Sequence, residues 1–384
     1  MDFKKLIGHK TPYYLYDLGL LNKTLDELKK QADKYHYNVH YALKANANDR
    51  ILKLIKAKGF GADCVSGNEV KKAIEIGFES AKIAFAGVGK SDQEILDGLH
   101  HNIFTFNCES VEEIEVINEL ASQQNKTAKI ALRINPNVDA KTHSYITTGL
   151  EENKFGINSW ELESLVEKLP NWKSIELTGL HFHIGSQITS MTPFKNLCVK
   201  ANVLNQWFLK QNIKISHLNL GGGLGIDYQN PTENPIPDFE SFFGVFKQFL
   251  EPQKNQQVHF ELGRSLVANC GSLISKVLYV KKGVKTNFVI LDAGMTELIR
   301  PALYQASHFM ENLTSASTSL QYYDVVGPIC ESSDCFGKKI ELKTTLRNDY
   351  MKIHSAGAYG EVMTSKYNLR EQNPVVYIPK DASI

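Results

Sequence analysis

The sequence predicts an α/β protein with a (β/α)8 barrel and a second, mostly antiparallel β-domain. From about residue 37 to 264, eight short apolar runs alternate with amphipathic, charge-rich segments. Eight such units over roughly 230 residues approach the ~250 residues that are usual for this barrel. After about Gly271 the apolar runs are joined by loops with little helix between them, which is typical of an antiparallel sheet.

The eight apolar runs are predicted to be the barrel strands, since each is short and bounded by polar or glycine residues. Between them, apolar residues recur at intervals of three and four, as in amphipathic helices, with Asp49, Ser91 and Ser110 at the expected N-cap positions. Strand count alone does not exclude a doubly wound open sheet. The predicted barrel strands are Val39–Leu43, Gly61–Val65, Lys82–Phe85, Ile103–Phe106, Ile130–Ile134, Leu177–Phe182, His217–Leu220 and Val258–Glu261.

The predicted domains are a barrel over residues 25–270 and a β-domain formed by residues 1–24 and 271–384. The N-terminal run Tyr13–Tyr16 precedes the barrel and is expected to be a strand that pairs with the β-domain. The other strands predicted for this domain are Val277–Val280, Phe288–Leu291, Tyr323–Val326, Met351–His354 and Val375–Ile378.

Composition narrows the function classes. The 43 basic and 42 acidic residues leave a net charge of +1, which argues against nucleic-acid and membrane-surface binding. No segment approaches the ~18 apolar residues of a membrane helix, and the N-terminus lacks the apolar stretch of a signal peptide. The 6 cysteines are scattered without a CxxC pair, so we expect reduced thiols, no metal site and a cytoplasmic location.

Polar residues and glycines cluster just after the predicted barrel strands. In a (β/α)8 barrel these positions meet at one face, which is where active sites of such barrels are found. The sequence therefore predicts a site with an amine, an imidazole, glycines, a carboxylate and a guanidinium. The residues are Lys44, Asn46, Ser66, Gly67, Asn107, Asn135, His183–Ser186, Gly221–Gly223 and Glu261–Arg264.

Taken singly, these signals are ambiguous. Lys44 is either a solvated surface lysine or a desolvated amine that forms a Schiff base. The glycines from Gly221 to Gly225 either present backbone N–H groups to a phosphate or make a tight strand–helix turn. Arg264 either binds a phosphate or carboxylate of a ligand or forms an ion pair within the chain.

The imidazoles are ambiguous too. His181 and His183 alternate onto one strand face and could be metal ligands, but no third ligand completes a set. More often one such histidine is packed and the other is functional. In combination, a lysine, phosphate-binding glycines, an imidazole and a carboxylate on one barrel face are what pyridoxal phosphate requires.

Several motifs resemble those of the fold-type III pyridoxal-phosphate decarboxylases, over about residues 13–370. A further set is similar to the diaminopimelate decarboxylase branch of that family. The shared family motifs are Tyr41–Asn46, Gly61–Gly67, His181–Gln187 and Asn219–Gly225, and those of the branch are Asp292–Met295, Arg300–Tyr304, Gly327–Asp334 and Gly357–Gly360.

The resemblance implies a role for each matching residue. Lys44 would hold the cofactor covalently, His183 would stack on its ring, and Glu261 would hydrogen-bond the pyridine nitrogen. Cys330 would donate a proton to the product, and Glu331 would bind the distal ammonium. The phosphate would lie among Ser186, Gly221, Gly222, Gly223 and Gly263, and the substrate carboxylate would meet Arg264, Arg300 and Tyr304, with Tyr359 closing the site near the cofactor.

Two further expectations come from the resemblance. The Cys330–Glu331 pair comes from the partner subunit in this family, which implies a homodimer with shared active sites. Leu262 stands where the family usually has proline, and leucine relaxes φ and keeps an N–H group that proline lacks. The side chains that carry the chemistry are all present, so activity is expected.

The expected reaction is decarboxylation of meso-2,6-diaminopimelate to L-lysine and CO2. A related decarboxylase of ornithine, arginine or carboxynorspermidine is the nearest alternative. A racemase on the same barrel would favour an arginine beside the pyridine nitrogen, and Glu261 argues against it. A non-catalytic homologue typically lacks the lysine or the proton donor, whereas Lys44 and Cys330 are both present.

Overall fold

The structure is a computed structural model that describes residues 8–138 and 154–379. Its contacts divide the chain into two compact units. Leu25–Gly225 with Asp238–Gly263 forms the first, and Met1–Thr24, Ile226–Pro237 and Arg264–Ile384 form the second. The predicted domain bounds remain a prediction, although Ile226–Pro237 groups here with the second unit. Residues 1–7 and 380–384 of the predicted β-domain lie outside the described residues.

The first unit contains a closed barrel of eight parallel strands, which confirms the predicted fold class and excludes the open sheet. The first and last barrel strands pair directly, with Val39 opposite Phe260 and Tyr41 opposite Leu262. After strand β1 (Tyr13–Asp17), the barrel strands are β2 (Asn38–Ala42), β3 (Gly61–Cys64), β4 (Ile83–Phe85), β5 (Thr105–Cys108), β6 (Ala128–Arg133), β7 (Ile175–His181), β8 (His217–Asn219) and β9 (Gln257–Leu262).

Amphipathic helices alternate with these strands. Ser66 and Ser110 accept hydrogen bonds from the backbone N–H groups of Glu69 and Glu113, and Ser91 closes a capping box. The predicted cap at Asp49 was one residue late, because Asn48 caps that helix. The helices are α1 (Leu18–Lys34), α2 (Asp49–Ala57), α3 (Gly67–Ile76), α4 (Asp92–His101), α5 (Val111–Gln123), α6 (Leu162–Lys168), α7 (Thr192–Lys210) and α8 (Phe239–Phe249).

The second unit is a mostly antiparallel sheet, as predicted. The N-terminal strand β1 joins it, with Tyr14 opposite Leu273 in an antiparallel pairing and opposite Val375 in a parallel one. Two short helices, α9 (Arg264–Val267) and α10 (Arg300–Tyr304), belong to this unit. Its other strands are β10 (Gly271–Lys282), β11 (Asn287–Leu291), β12 (Met310–Asn312), β13 (Leu320–Val326), β14 (Cys335–Lys343), β15 (Tyr350–Ile353) and β16 (Val375–Ile378).

Strands β12 and β14 were not predicted from the sequence. In β14 only Phe336 and Leu342 are buried, so its sequence lacks the apolar run by which the other strands were recognised. β12 is only three residues long and carries a single buried apolar residue, Met310. Within the part of the chain that the structure describes, no helix is both long and apolar enough to cross a membrane.

Candidate active site

A cavity of about 440 Å³ lies in the barrel unit. Except for Phe155, its lining comes from residues at or just after the carboxyl ends of the barrel strands, the face on which barrel active sites are built. The volume falls in the range of small-molecule sites. The lining residues are Lys44, Val65, Ala86, Gly87, Val88, Gly89, Arg133, Phe155, His181, His183 and Glu261.

Lys44 lies in a single 3₁₀ turn, Leu43–Ala45, that follows β2 directly. Leu43 and Ala45 are buried, whereas the Lys44 side chain is 42% exposed and lines the cavity. Its Nζ lies 3.5 Å from Oδ2 of Asp63 on the neighbouring strand β3. Lys44 thus has a polar neighbour, whereas the sequence led us to expect apolar neighbours that desolvate its amine.

Asp63 is buried, and sequence reasoning gave it no role. Burial and the negative charge of Glu261 raise the pKa of Asp63 to about 7, against the opposing effect of the Lys44 charge. Burial therefore favours the protonated form of this carboxyl more than in a solvated aspartate.

Glu261 is buried near the end of β9 and accepts three hydrogen bonds. Its Oε1 accepts from the side-chain amides of Asn107, at 2.9 Å, and Asn219, at 2.7 Å. Its Oε2 lies 2.8 Å from Nε2 of His181. Burial alone would raise the pKa of Glu261, but the His181 charge and hydrogen bond, together with the Lys44 charge, hold that pKa well below its usual range. Glu261 is therefore a fixed carboxylate.

His183 lines the cavity and is half-buried. Desolvation, and then the positive charges of Arg133 and Lys44, hold its pKa well below the ordinary value for histidine. The ring is therefore neutral near pH 7 and can lie flat against an aromatic ligand. From the sequence we predicted that one of the two histidines is packed. His181 is the packed one, since it is buried against Glu261.

The glycine loop after β8 is tightly constrained. Gly221 and Gly223 have φ of 66° and 100°, a conformation that favours glycine. A Cβ on Gly222 would lie 1.9 Å from the backbone oxygen of Glu261. The N–H of Gly221 donates to Oδ1 of Asn219, whereas the N–H groups of Gly222 and Gly223 donate to no acceptor among the described residues.

An ion pair that the sequence did not reveal holds one wall of the cavity. Nη1 of Arg133 donates to Oε1 of Glu109 at 2.6 Å, and both side chains are buried. Glu109 also accepts from the backbone N–H groups of Gly87 and Gly156, at 3.2 and 2.9 Å. The Arg133 guanidinium also lies over the Phe155 ring, 4.8 Å from the ring centre. The ion pair thus holds in place both the loop that contains Gly87 and the loop that contains Gly156.

Within the second unit, a cluster of cations and aromatic rings contains three of the predicted residues. Nη1 of Arg264 donates to the hydroxyl of Tyr228 at 2.6 Å, and its guanidinium lies 4.8 Å from the ring centre of Tyr359. Arg300 lies over the Tyr228 ring at 4.9 Å. Tyr359 has a φ of 56°, in the left-handed region that residues other than glycine adopt uncommonly.

Arg300 has an uncharged hydrogen-bond partner. Its Nη1 lies 3.0 Å from Nε2 of His308, and both residues are buried. The other ring nitrogen of His308, Nδ1, lies 2.8 Å from the backbone oxygen of His354. Tyr304, at the end of the same short helix as Arg300, is half-buried. Neither Tyr228 nor His308 was predicted from the sequence.

Cys330 and Glu331 are exposed in a loop of the second unit. The hydroxyl of Tyr367 donates to Oε1 of Glu331 at 2.7 Å, and the N–H of Cys330 donates to Oδ1 of Asn368 at 3.4 Å. Over residues 8–138 and 154–379, no group of three or more His, Cys, Asp or Glu side chains is arranged to hold a metal ion.

Comparison with known proteins extends these observations. Residues 18–268 match the family described as pyridoxal-dependent decarboxylase, pyridoxal binding domain. The chain is 54% identical over 363 residues to the diaminopimelate decarboxylase of Bacteroides thetaiotaomicron, which covers 94% of both chains. It is 37% identical over 368 residues to the enzyme of that name from Aquifex aeolicus, covering 96% of this chain and 86% of the relative.

Solved structures of decarboxylases are similar to this chain as well. The structure of diaminopimelate decarboxylase from Helicobacter pylori in complex with L-lysine matches with a TM-score of 0.93 and 37% identity, covering 99% of this chain and 95% of that one. The arginine decarboxylase of Paramecium bursaria Chlorella virus, bound to agmatine, has a TM-score of 0.86 at 21% identity, with 97% and 98% of the two chains covered. At that identity the second likeness shows a shared fold.

Proposed function

Because this chain belongs to the diaminopimelate decarboxylase family of pyridoxal-dependent decarboxylases, we propose that it converts meso-2,6-diaminopimelate to L-lysine and CO2. The observation that carries the proposal is the 54% identity over 94% of both chains. The barrel cavity supports it, since an amine, a fixed carboxylate and a neutral imidazole line one space. The reaction belongs to lysine biosynthesis.

The barrel residues fit pyridoxal 5'-phosphate. The cofactor needs an amine for its aldehyde, a cradle for its phosphate and an acidic partner for its ring nitrogen. Lys44 supplies the amine and Glu261 the carboxylate, both in the lining of one cavity. The unengaged N–H groups of Gly222 and Gly223 supply phosphate donors. Ser186 and the backbone at Gly263 are assigned to the same cradle, and Arg264 to an anionic group of cofactor or substrate.

The cradle gives a first prediction. Gly222→Ala should lower the free energy of unfolding by about 2 kcal/mol or more and weaken pyridoxal phosphate binding at least about tenfold. The reason is that a Cβ at 1.9 Å from the Glu261 backbone oxygen forces the loop away. Thermal unfolding and a fluorescence titration with the cofactor measure the two effects.

Gly244→Ala is the matched control. This glycine lies in helix α8, and beyond the backbone of that helix and the adjacent residues no described heavy atom lies within 4 Å of the position that an alanine methyl group would take. Alanine should therefore stabilise the helix by about 0.5–1 kcal/mol. Cofactor binding as tight in Gly222→Ala as in Gly244→Ala would remove the glycine loop from the phosphate site.

When bound, pyridoxal phosphate supplies an electron-withdrawing ring that stabilises the negative charge left at the α-carbon as CO2 departs. The chain supports that chemistry with three barrel residues. Lys44 would hold the cofactor through its side-chain amine and would be freed as the substrate amine binds. The Glu261 carboxylate keeps a proton on the ring nitrogen, and the neutral His183 ring stacks on the aromatic face.

Residues of the second unit are assigned to the substrate. Arg264, Arg300 and Tyr304 bind carboxylate, Glu331 binds the distal ammonium, and Tyr359 closes the site. Cys330 donates the proton that replaces the lost carboxyl group. The burial of two arginines against Tyr228 supports an anion-binding role.

The experiment that tests the proposed function is a substrate panel. We expect CO2 release and L-lysine from meso-diaminopimelate, with kcat/KM about tenfold to a hundredfold above that for ornithine. Ornithine lacks the distal carboxylate and would leave the buried Arg300 without an anionic partner. Arginine and carboxynorspermidine complete the panel, and a preference for any of these three compounds would overturn the substrate assignment.

We also propose a homodimer that shares its active sites. The Cys330–Glu331 loop is exposed in one chain, and it contacts a segment, Tyr367–Leu369, that exposes large apolar side chains. Leu369, which is 94% exposed, and Tyr367, which is 48% exposed, offer apolar surface beside this loop for a second copy to cover. We also propose a cytoplasmic location, because the 6 cysteines are all free thiols.

Mixing two inactive variants tests the shared site. Lys44→Ala and Cys330→Ala dimers should each be nearly inactive, and subunit exchange should restore about a quarter of wild-type activity, because half of the random dimers carry one intact site. Mixed dimers can be isolated with two different affinity tags. Inactivity of tagged heterodimers, once their composition is confirmed, would mean that each chain forms its own complete site.

A further inference from the structure

We propose that His308 is a positioning residue that orients Arg300 without neutralising it, and so keeps its positive charge available to a substrate carboxylate. The inference rests on the proposed function, which assigns Arg300 to carboxylate binding. It goes further by naming the residue that sets the strength of that binding. Sequence motifs assign no role to His308.

The hydrogen bonds fix the protonation state of the His308 ring. A backbone carbonyl only accepts, so Nδ1 must carry the proton that bonds to the oxygen of His354, at 2.8 Å. A guanidinium only donates, so Nε2 must offer its lone pair to Nη1 of Arg300, at 3.0 Å. A single neutral tautomer satisfies both contacts.

Burial reinforces this neutral state. His308 is 5% exposed, and desolvation together with the positive charge of Arg300 lowers its pKa to about 3. A protonated ring would lose its contact with Arg300 and place a second cation beside it. At neutral pH His308 is therefore an uncharged acceptor.

The other described neighbours of Arg300 carry no negative charge either. Its guanidinium lies 4.9 Å from the ring centre of Tyr228, and the ring centres of Tyr228 and His308 lie 5.1 Å apart in an edge-to-face arrangement. Among the described residues, no carboxylate forms an ion pair with Arg300, and its Nε has no hydrogen-bond partner. Arg264 adds a second positive charge, since it too lies against Tyr228.

A buried cation normally has a carboxylate partner, because desolvation of an unpaired charge is costly. Here a neutral imidazole and an aromatic face hold the guanidinium in place. An arriving carboxylate is then its first charged partner, and the hydrogen bond is charge-assisted. A fixed carboxylate at position 308 would compete with that substrate group.

The test introduces such a competitor. His308→Glu should raise KM for meso-diaminopimelate about tenfold or more, with kcat changed less than threefold. His308→Gln, which keeps an uncharged acceptor of similar reach, is the matched control and should stay within about threefold of wild-type KM. Both measurements use the holoenzyme, with thermal unfolding to verify folding.

A second measurement separates an effect of charge on carboxylate binding from a general loss of ligand binding. L-lysine and lysinamide differ at the carboxylate, so calorimetry with each gives an affinity ratio within every variant. The ratio should fall at least about tenfold from His308→Gln to His308→Glu. If the glutamate variant does not fold, His308→Asp, which needs less space, is measured against His308→Asn in the same way.

The outcomes are distinct. Equal KM values and equal affinity ratios in the charged and uncharged variants would overturn the role of His308. Wild-type protein that releases no CO2 from meso-diaminopimelate would instead overturn the proposed function. A higher KM with an unchanged lysine-to-lysinamide ratio would reduce His308 to a purely structural residue.

Discussion

Replacement of Lys44 with alanine is expected to reduce CO2 release by at least about a thousandfold, because the variant cannot hold the cofactor covalently. The position offers no substitute amine, since Lys44 is the one lysine among the cavity-lining residues that the structure describes. Removal of the amine also takes a positive charge away from Asp63, so that the buried carboxyl will hold its proton more tightly.

The measurements are decarboxylation rate and visible absorbance in the presence of excess cofactor. Lys71→Ala is a suitable control, because the Lys71 side chain is 54% exposed and its ion pair with the half-buried Asp97 lies outside the cavity. Full activity in Lys44→Ala, with the control also active, would place the covalent chemistry at another residue.

Replacement of Glu261 with glutamine is expected to lower kcat about a hundredfold to a thousandfold while cofactor stays bound. Glutamine has nearly the same shape and can still accept from Asn107 and Asn219. It loses the negative charge that holds a proton on the ring nitrogen, and its amide faces His181 less favourably than a carboxylate oxygen does. Glu261→Ala should keep the cofactor as well and show a similar or larger loss.

Bound cofactor is quantified by its absorbance after denaturation, and turnover by CO2 release. Glu176→Gln is the control, since Glu176 is an exposed residue on the barrel strand β7. If Glu261→Gln turned over at the rate of Glu176→Gln, Glu261 would have no part in charge stabilisation.

Much of the barrel could be predicted because its strands are short apolar runs separated by amphipathic helices. The segment Gly61–Cys64, for example, is buried along its whole length and starts at the predicted residue. Lys44 and Glu261 were found because each follows or ends such a run, and barrel geometry brings strand ends together. The residues missed in the sheet domain lie in β12 and β14, which have few buried apolar side chains.

Other site residues were missed for a different reason. Asp63 and Asn219 lie on barrel strands, but their partners Lys44 and Glu261 are 19 and 42 residues away in sequence. Asn107 was predicted as a site residue, but its contact with Glu261, 154 residues away, was not. No local pattern indicates which buried amide will meet Glu261. The role of His308 depends on the direction of two hydrogen bonds, and these form only in the folded protein.

The central claim is that the cofactor is bound covalently at Lys44, and chemical trapping tests it most directly. The purified protein is mixed with pyridoxal phosphate, reduced with borohydride and digested, and the peptides are identified by mass spectrometry. We predict one stable phosphopyridoxyl adduct, on the peptide that contains Lys44. A colourless protein without an adduct, or an adduct on another lysine with Lys44 unmodified, would contradict the account.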